Sequence, residues 1–300
     1  MAPQANREKR RLRGSMVALV TPFRDGGVDY AALDRLVDLQ LEAGTDALVP
    51  CGTTGESPTL TGEEHDRVIG AVIARCDGRC PVVAGTGSNS TAEAIRRTRQ
   101  AGAAGADAAL IVAPYYNRPT QEGLYRHYAA IAEATEIPII LYNVPKRTGV
   151  AIAEETVIRL RKDFEHIVAV KHATGSVDGV DRMLRGCDID VLSGDDALTW
   201  PLMAMGAVGV ISVVANIDPK GMRRLTEAAL AGNVSVAIDA HRRVCAVAET
   251  LGGFGPNPIP IKTALALKGL CAEEFRLPLC PMEEEAKRQL ADALGKHELL

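Results

Sequence analysis

Short blocks of apolar residues alternate with longer stretches in which apolar positions recur every three or four residues, from residue 16 to about residue 225. The blocks at 16–20, 47–50, 81–84, 108–112, 138–142, 167–171, 190–192 and 208–213 have the length and continuity of buried parallel strands. The stretches at 30–43, 63–75, 91–103, 121–134 and 153–161 have helical periodicity, with glycine or proline at their ends. Eight strands, each followed by a helix, predict an α/β chain folded as a closed (β/α)8 TIM barrel, with an open doubly wound sheet as the alternative. After the eighth block the strand signal stops, and 218–231, 234–250, 260–270 and 283–294 read as helices. These are too many for one closing barrel helix. The expected organisation is therefore a flexible basic tail over 1–13, a catalytic barrel over 14–225 and a helical C-terminal unit over 226–300.

Composition changes this picture little. The net charge of −4 comes from 34 basic and 38 acidic residues that are interspersed, so nucleic acid and anionic membranes are not expected partners. The basic start at Arg7, Lys9, Arg10, Arg11 and Arg13 has no apolar partner and reads as a solvated tail. No apolar run after it resembles a secretory signal or approaches the roughly 20 residues of a membrane span, so a cytoplasmic location is expected. The seven cysteines are scattered, and without a second ligand pair Cys76 and Cys80 do not predict a metal site.

In a barrel of this kind, polar residues at the C-terminal ends of strands are the candidates for chemistry. Lys171 ends the sixth apolar block, and of nine lysines it alone ends a central strand. Burial there disfavours the ammonium form, the condition an amine needs to attack a carbonyl and form an imine. A rim lysine that keeps its charge in a salt bridge is the plainer alternative. The GTTGE loop at 52–56 offers backbone amides and the Thr53 and Thr54 hydroxyls to a small carboxylate, although a tight loop without a ligand has the same sequence. Tyr142 ends the fifth strand, where a phenol could relay protons or be structural. Arg147 follows in the next loop, with a planar fork suited to a second carboxylate, or else to solvent. Tyr115 and Tyr116 follow the fourth strand. Two adjacent residues of an extended segment point opposite ways, so one can face its own barrel while the other reaches elsewhere, and packing at a subunit contact is the simpler account.

Taken in order, these loops resemble the dihydrodipicolinate synthase family, within the wider group of pyruvate aldolases. The resemblance rests on GTTGE at 52–56, GTG at 85–87, PYYNRP at 114–119, YNVP at 142–145, RTG at 147–149, VKHATG at 170–175, LSGDD at 192–196, GVIS at 209–212 and NPIP at 257–260. It covers the chain from Gly14 to the C-terminus. It implies a lyase of lysine and diaminopimelate biosynthesis that condenses pyruvate with aspartate semialdehyde. By that resemblance Lys171 forms the pyruvate imine, and Thr53, Tyr142 and Tyr116 relay protons, Tyr116 crossing a dimer interface within a homotetramer. Thr54 holds the pyruvate carboxylate, Gly194 and Ile211 line the pocket with backbone groups, and Arg147 receives the carboxylate of the aldehyde. Neither an organic cofactor nor a metal is expected, because the protonated imine itself draws electrons from the developing enamine.

Two positions depart from the family pattern. His172 stands where an acidic residue is common, and strand alternation predicts that it points out of the barrel. For feedback inhibition by lysine the matching positions are Ser57, His65, Asn89, Glu93 and Tyr115. Gly62 and Pro58 alter that neighbourhood, so weak or absent inhibition is expected. An aldolase related to N-acetylneuraminate lyase, acting on a sugar acid or other aldehyde, is the competing enzyme, and Arg147 argues for the shorter carboxylated acceptor. A barrel that binds a keto acid without catalysis is the alternative from another class.

Overall fold

The computed structural model describes residues 12–300, so residues 1–11 of the expected tail lie outside the described residues. Eight parallel strands form the central sheet: β1 Gly14–Ala18, β2 Ala47–Val49, β3 Val83–Gly85, β4 Ala108–Val112, β5 Ile139–Asn143, β6 Ile167–His172, β7 Asp190–Ser193 and β8 Gly209–Ser212. Their hydrogen-bonded order runs β2, β1, β8, β7, β6, β5, β4, β3, and a parallel bridge between Leu48 and Val82 closes the ring between β2 and β3. The closed barrel, and not the open sheet, is the architecture.

Inward-facing residues such as Met16, Val49, Leu110, Ile140, Ala169 and Ile211 fill the barrel with one buried apolar cluster. Residues on the opposite faces of the same strands, among them Val17, Leu48, Ile111, Leu141 and Val170, pack in two larger clusters with side chains of the surrounding helices. Alternation along the strand sets this division. It leaves polar groups a dry barrel interior to border only at the ends of the strands.

The barrel helices are α1 Tyr30–Glu42, α2 Gly62–Cys76, α3 Thr91–Ala104, α4 Gln121–Glu133, α5 Glu154–Asp163, α6 Val180–Gly186, α7 Thr199–Ala204 and α8 Pro219–Leu230. Their starts follow from local chemistry. The side chains of Asp29, Ser90, Thr120 and Asp218 accept backbone N–H groups of the first turns, and Thr61 with Glu64 forms a reciprocal capping box on α2. Three further helices, α9 Val234–Gly252, α10 Ile259–Leu267 and α11 Glu284–Lys296, form the C-terminal part. Residue 225 falls inside α8, and Leu12 is buried in the barrel cluster.

The first strand starts and ends two residues earlier than the apolar block. The amide of Ser15 is held by Asp46, and that of Val20 donates to the Asn216 side chain instead of a strand neighbour. A small hairpin, Phe23–Arg24 with Gly27–Val28, occupies the following loop and buries Phe23 completely. Two-residue strands leave no periodic signal.

Candidate active site

Lys171 and Tyr142 are register partners on β6 and β5, so their side chains leave the sheet on the same face. Lys171 is only 6% exposed, and its Nζ lies 4.2 Å from the centroid of the Tyr142 ring. Among the described residues no carboxylate lies within ion-pair distance of this amine, so its one close aromatic neighbour does not tie it up as a salt bridge would. Gly194, just after β7, makes room for it: a Cβ there would stand 3.0 Å from Lys171 Cε and 2.6 Å from Ala173 Cβ. The side chain of His172 points to the other face, with Nε2 3.0 Å from the Ser176 carbonyl and 2.9 Å from the Thr174 hydroxyl. It braces the turn after β6, as alternation predicts.

Around Lys171 a cavity of about 300 Å³ opens at the C-terminal ends of the strands, bordered by Thr53, Thr54, Tyr142, Arg147, Gly194 and Ile211. Seven of the residues singled out from the sequence therefore meet at one place. A larger depression of about 440 Å³ lies beside Asp46, Arg79, Cys80 and Pro81, at the opposite ends of the strands and remote from these groups. Position at the strand C-termini decides between the two.

Thr53 and Thr54 sit in the turn after β2, which Glu56 closes by donating its N–H to the Thr53 carbonyl at 3.1 Å. Thr54 is buried, and its hydroxyl accepts from Asn257 Nδ2 at 3.0 Å. Arg147 stands on the one-turn helix Pro145–Thr148, exposed over the mouth, with Nη2 donating to the Asn257 carbonyl at 3.0 Å. Asn257, in the C-terminal part, thus touches both expected carboxylate anchors, one through its side chain and one through its backbone. In the sequence it stands only as the first residue of the NPIP motif, with no signal for a role. Asp196 was likewise unassigned: its carboxylate accepts the amides of Val213 and Val214 at 3.1 and 3.0 Å, fixing the loop that follows Ile211. Burial pushes its carboxyl above the usual range, opposed by the Ser212 hydroxyl and these two amides.

Tyr116 does not enter this cavity. It is 89% exposed and has φ 72°, a left-handed conformation unusual for a tyrosine, while Tyr115 is half-buried. The loop is held by Asn117 Nδ2 on the Asn89 carbonyl and by Arg118 Nε on the Gly149 carbonyl. His65 is fully buried with Nε2 2.8 Å from the Gly85 carbonyl, and burial keeps its imidazole below the usual range. Arg96, assisted by Arg97, holds the Glu93 carboxyl at about 2. Ser57 begins the short 3-10 turn Ser57–Thr59 beside the Thr53 loop.

The Cys76 and Cys80 sulfurs lie 3.5 Å apart, and the Cys76 thiol also donates to the Cys80 carbonyl at 3.1 Å. Among the described residues no group of three or more His, Cys, Asp or Glu could hold a metal ion, and no helix is long and apolar enough to cross a membrane.

A closed barrel with a buried amine at the rim of its sixth strand, and hydroxyl, phenol and guanidinium groups around it, defines the class of lysine-dependent (β/α)8 lyases. The chain belongs to the dihydrodipicolinate synthetase family, whose model matches residues 11–297. The 4-hydroxy-tetrahydrodipicolinate synthase of Geobacter sulfurreducens is 54% identical over 290 residues, 96% of this chain and 99% of that protein. The crystal structure of dihydrodipicolinate synthase from Aquifex aeolicus superposes with a TM-score of 0.94 at 47% identity, covering 96% of this chain and 98% of the other. The Acinetobacter baumannii enzyme, described as chloride-inhibited and crystallised with pyruvate, matches with a TM-score of 0.93 at 46% identity, covering 97% and 100% of the two chains.

Proposed function

We propose that the chain acts as a 4-hydroxy-tetrahydrodipicolinate synthase, joining pyruvate to L-aspartate 4-semialdehyde on the route to diaminopimelate and lysine. The observation that carries this reading is the buried Lys171 amine, free of any carboxylate among the described residues, at the bottom of a cavity that also holds Thr53, Thr54, Tyr142 and Arg147.

In this reading Lys171 Nζ attacks the keto carbon of pyruvate, and loss of water gives the imine. The positively charged imine nitrogen takes up electrons as the methyl group loses a proton, leaving an enamine whose terminal carbon attacks the aldehyde. Tyr142 and Thr53 carry the protons that these steps release and consume. The Thr54 hydroxyl, with the backbone near Gly194 and Ile211, receives the pyruvate carboxylate. The Arg147 guanidinium receives the carboxylate of the aldehyde.

Tyr116 completes the relay from a second copy of the chain, in a homotetramer built as a dimer of dimers. Its exposure and left-handed backbone support a role outside its own barrel. The location is cytoplasmic. The working parts are a catalytic barrel and a helical C-terminal unit. Ser57, His65, Asn89, Glu93 and Tyr115 form a lysine site whose inhibition is weak or absent, because Gly62 offers the ligand no side chain and both Glu93 oxygens are occupied by arginines.

Borohydride reduction in the presence of pyruvate, followed by peptide mass spectrometry, tests the reading. A pyruvate-derived adduct on Lys171 is expected, and its absence would leave only a binding protein. Assays with aspartate semialdehyde, N-acetylmannosamine and sugar-derived aldehydes then fix the acceptor. Turnover restricted to a sugar aldehyde would assign the chain to the other branch of aldolases.

A further inference from the structure

Glu56 and Lys262 form an ion pair of 2.7 Å whose two side chains are both 0% exposed. Neither borders the cavity around Lys171, so neither touches substrate. Glu56 ends the turn that carries Thr53 and Thr54, and its own backbone is left-handed, with φ 52°. Its second carboxylate oxygen accepts the backbone N–H of Arg276 at 3.3 Å. Lys262 lies on α10, with Nζ 4.0 Å from the centroid of the Phe23 ring and 5.1 Å from that of Phe275. Burial lowers its ammonium below the usual lysine range, opposed by the Glu56 carboxylate.

Removing two charges from water costs about as much as their attraction returns, and apolar side chains of similar volume hold a core together at least as well. What the pair supplies beyond cohesion is direction. A carboxylate with a single buried cation to face allows one seating of the turn, whereas an apolar side chain would allow several. That turn is also gripped at Thr54 by Asn257, five residues before Lys262. The C-terminal part therefore holds the turn at two points, the Thr54 hydroxyl and the Glu56 carboxylate.

We propose that the Glu56–Lys262 pair is a positioning pair, by which the C-terminal helices set Thr53 and Thr54 against the imine carbon formed on Lys171. This rests on the reading in which Thr53 relays protons and Thr54 binds the pyruvate carboxylate. Misplacement of a reacting group by about 1 Å costs about 10²-fold in rate, so the pair controls turnover without touching substrate.

The test compares the full-length Glu56→Gln/Lys262→Met double variant with Lys262→Met, Glu56→Gln and Thr53→Val. The double variant leaves no unpaired buried charge and is expected to melt in one cooperative transition. Its kcat should fall about 10²-fold and its KM for pyruvate should rise, with the KM for the aldehyde within about twofold, since Arg147 is held by the backbone carbonyl of Asn257, which both substitutions leave in place. A folded double variant with the wild-type kcat and pyruvate KM overturns the proposal. If neither variant lacking Lys262 folds, Glu56→Gln decides: it keeps the shape of the side chain, and a folded Glu56→Gln enzyme with unchanged kinetics overturns the proposal equally. Thr53→Val separates the two levels. If it leaves kcat intact, the relay reading itself fails. If it lowers kcat while the paired substitutions do not, only the positioning role fails.

Discussion

The Lys171 side chain runs past the bare α-carbon of Gly194, on the neighbouring strand-end, with so little room that a methyl group there would press on both Lys171 and Ala173. The amine is aimed at the cavity partly because a residue on another strand has no side chain. Gly194→Ala is therefore expected to push the lysine off its path. Overpacking of this kind costs about 1–3 kcal/mol of stability, and the displaced amine should lower kcat by about 10²-fold. Borohydride trapping of pyruvate reads the effect directly. An unchanged trapping rate in a folded Gly194→Ala enzyme would show that the lysine has other room.

Asn257 separates the two proposed carboxylate anchors by the kind of contact that it makes. Its side chain holds the Thr54 hydroxyl, but its backbone carbonyl holds Arg147. Asn257→Ala removes the first contact and keeps the second. The loss of one buried hydrogen bond, about 1 kcal/mol, predicts a severalfold to tenfold higher KM for pyruvate and little change for the aldehyde. Steady-state kinetics with each substrate varied in turn checks it. Equal effects on both would mean that the loop moves as one body.

The strand ends were the most legible part of the sequence, because a strand buried on both faces has a continuous apolar block and the next polar residue is forced to the rim. Lys171, Tyr142 and the turn at 52–56 stood out on that basis. The sequence did not reveal that Asn257 reaches Thr54, or that Lys262 finds Glu56. These contacts join positions about 200 residues apart, and no periodicity records them. For the same reason the four C-terminal segments read as helices, yet nothing in them marks the face that turns toward the catalytic mouth. The partner proposed for Tyr116 lies beyond a single chain altogether. Local pattern set the elements, and tertiary contact gave the unassigned residues their place.

The Arg147 side chain is exposed, and among the described residues its guanidinium donates to one backbone carbonyl, that of Asn257, leaving its other donors available to a ligand. Hydrogen bonds to a charged group are worth about 1.5–3 kcal/mol. Arg147→Ala should accordingly raise the KM for aspartate semialdehyde by about 10- to 100-fold, with pyruvate trapping on Lys171 unaffected. The same kinetic comparison tests acceptor choice. A loss of equal size for both substrates would indicate that the arginine braces the mouth without binding the second carboxylate.

The pH dependence of stability should carry the mark of one ion pair that ties the C-terminal part to α2. Arg276 forks onto Glu64, with Nη1 and Nη2 at 2.6 and 2.5 Å from its two carboxylate oxygens, and this holds the Glu64 carboxyl at about 2 against an ordinary 4.5. The folded protein thus binds this proton less readily than the unfolded chain does. The stability contributed is complete above about pH 4.5 and is lost as the pH falls toward 2. The pair is partly solvated, so the effect is modest and weakens with salt. Glu64→Gln should lower the melting temperature at neutral pH by a few degrees, and the gap from wild type should close between pH 4.5 and 2 as the native carboxylate takes up its proton. Thermal melts across that range measure it. A gap that stays constant down to pH 2 would assign the contribution of Glu64 to the shape of its side chain and the capping box on α2, and not to its charge.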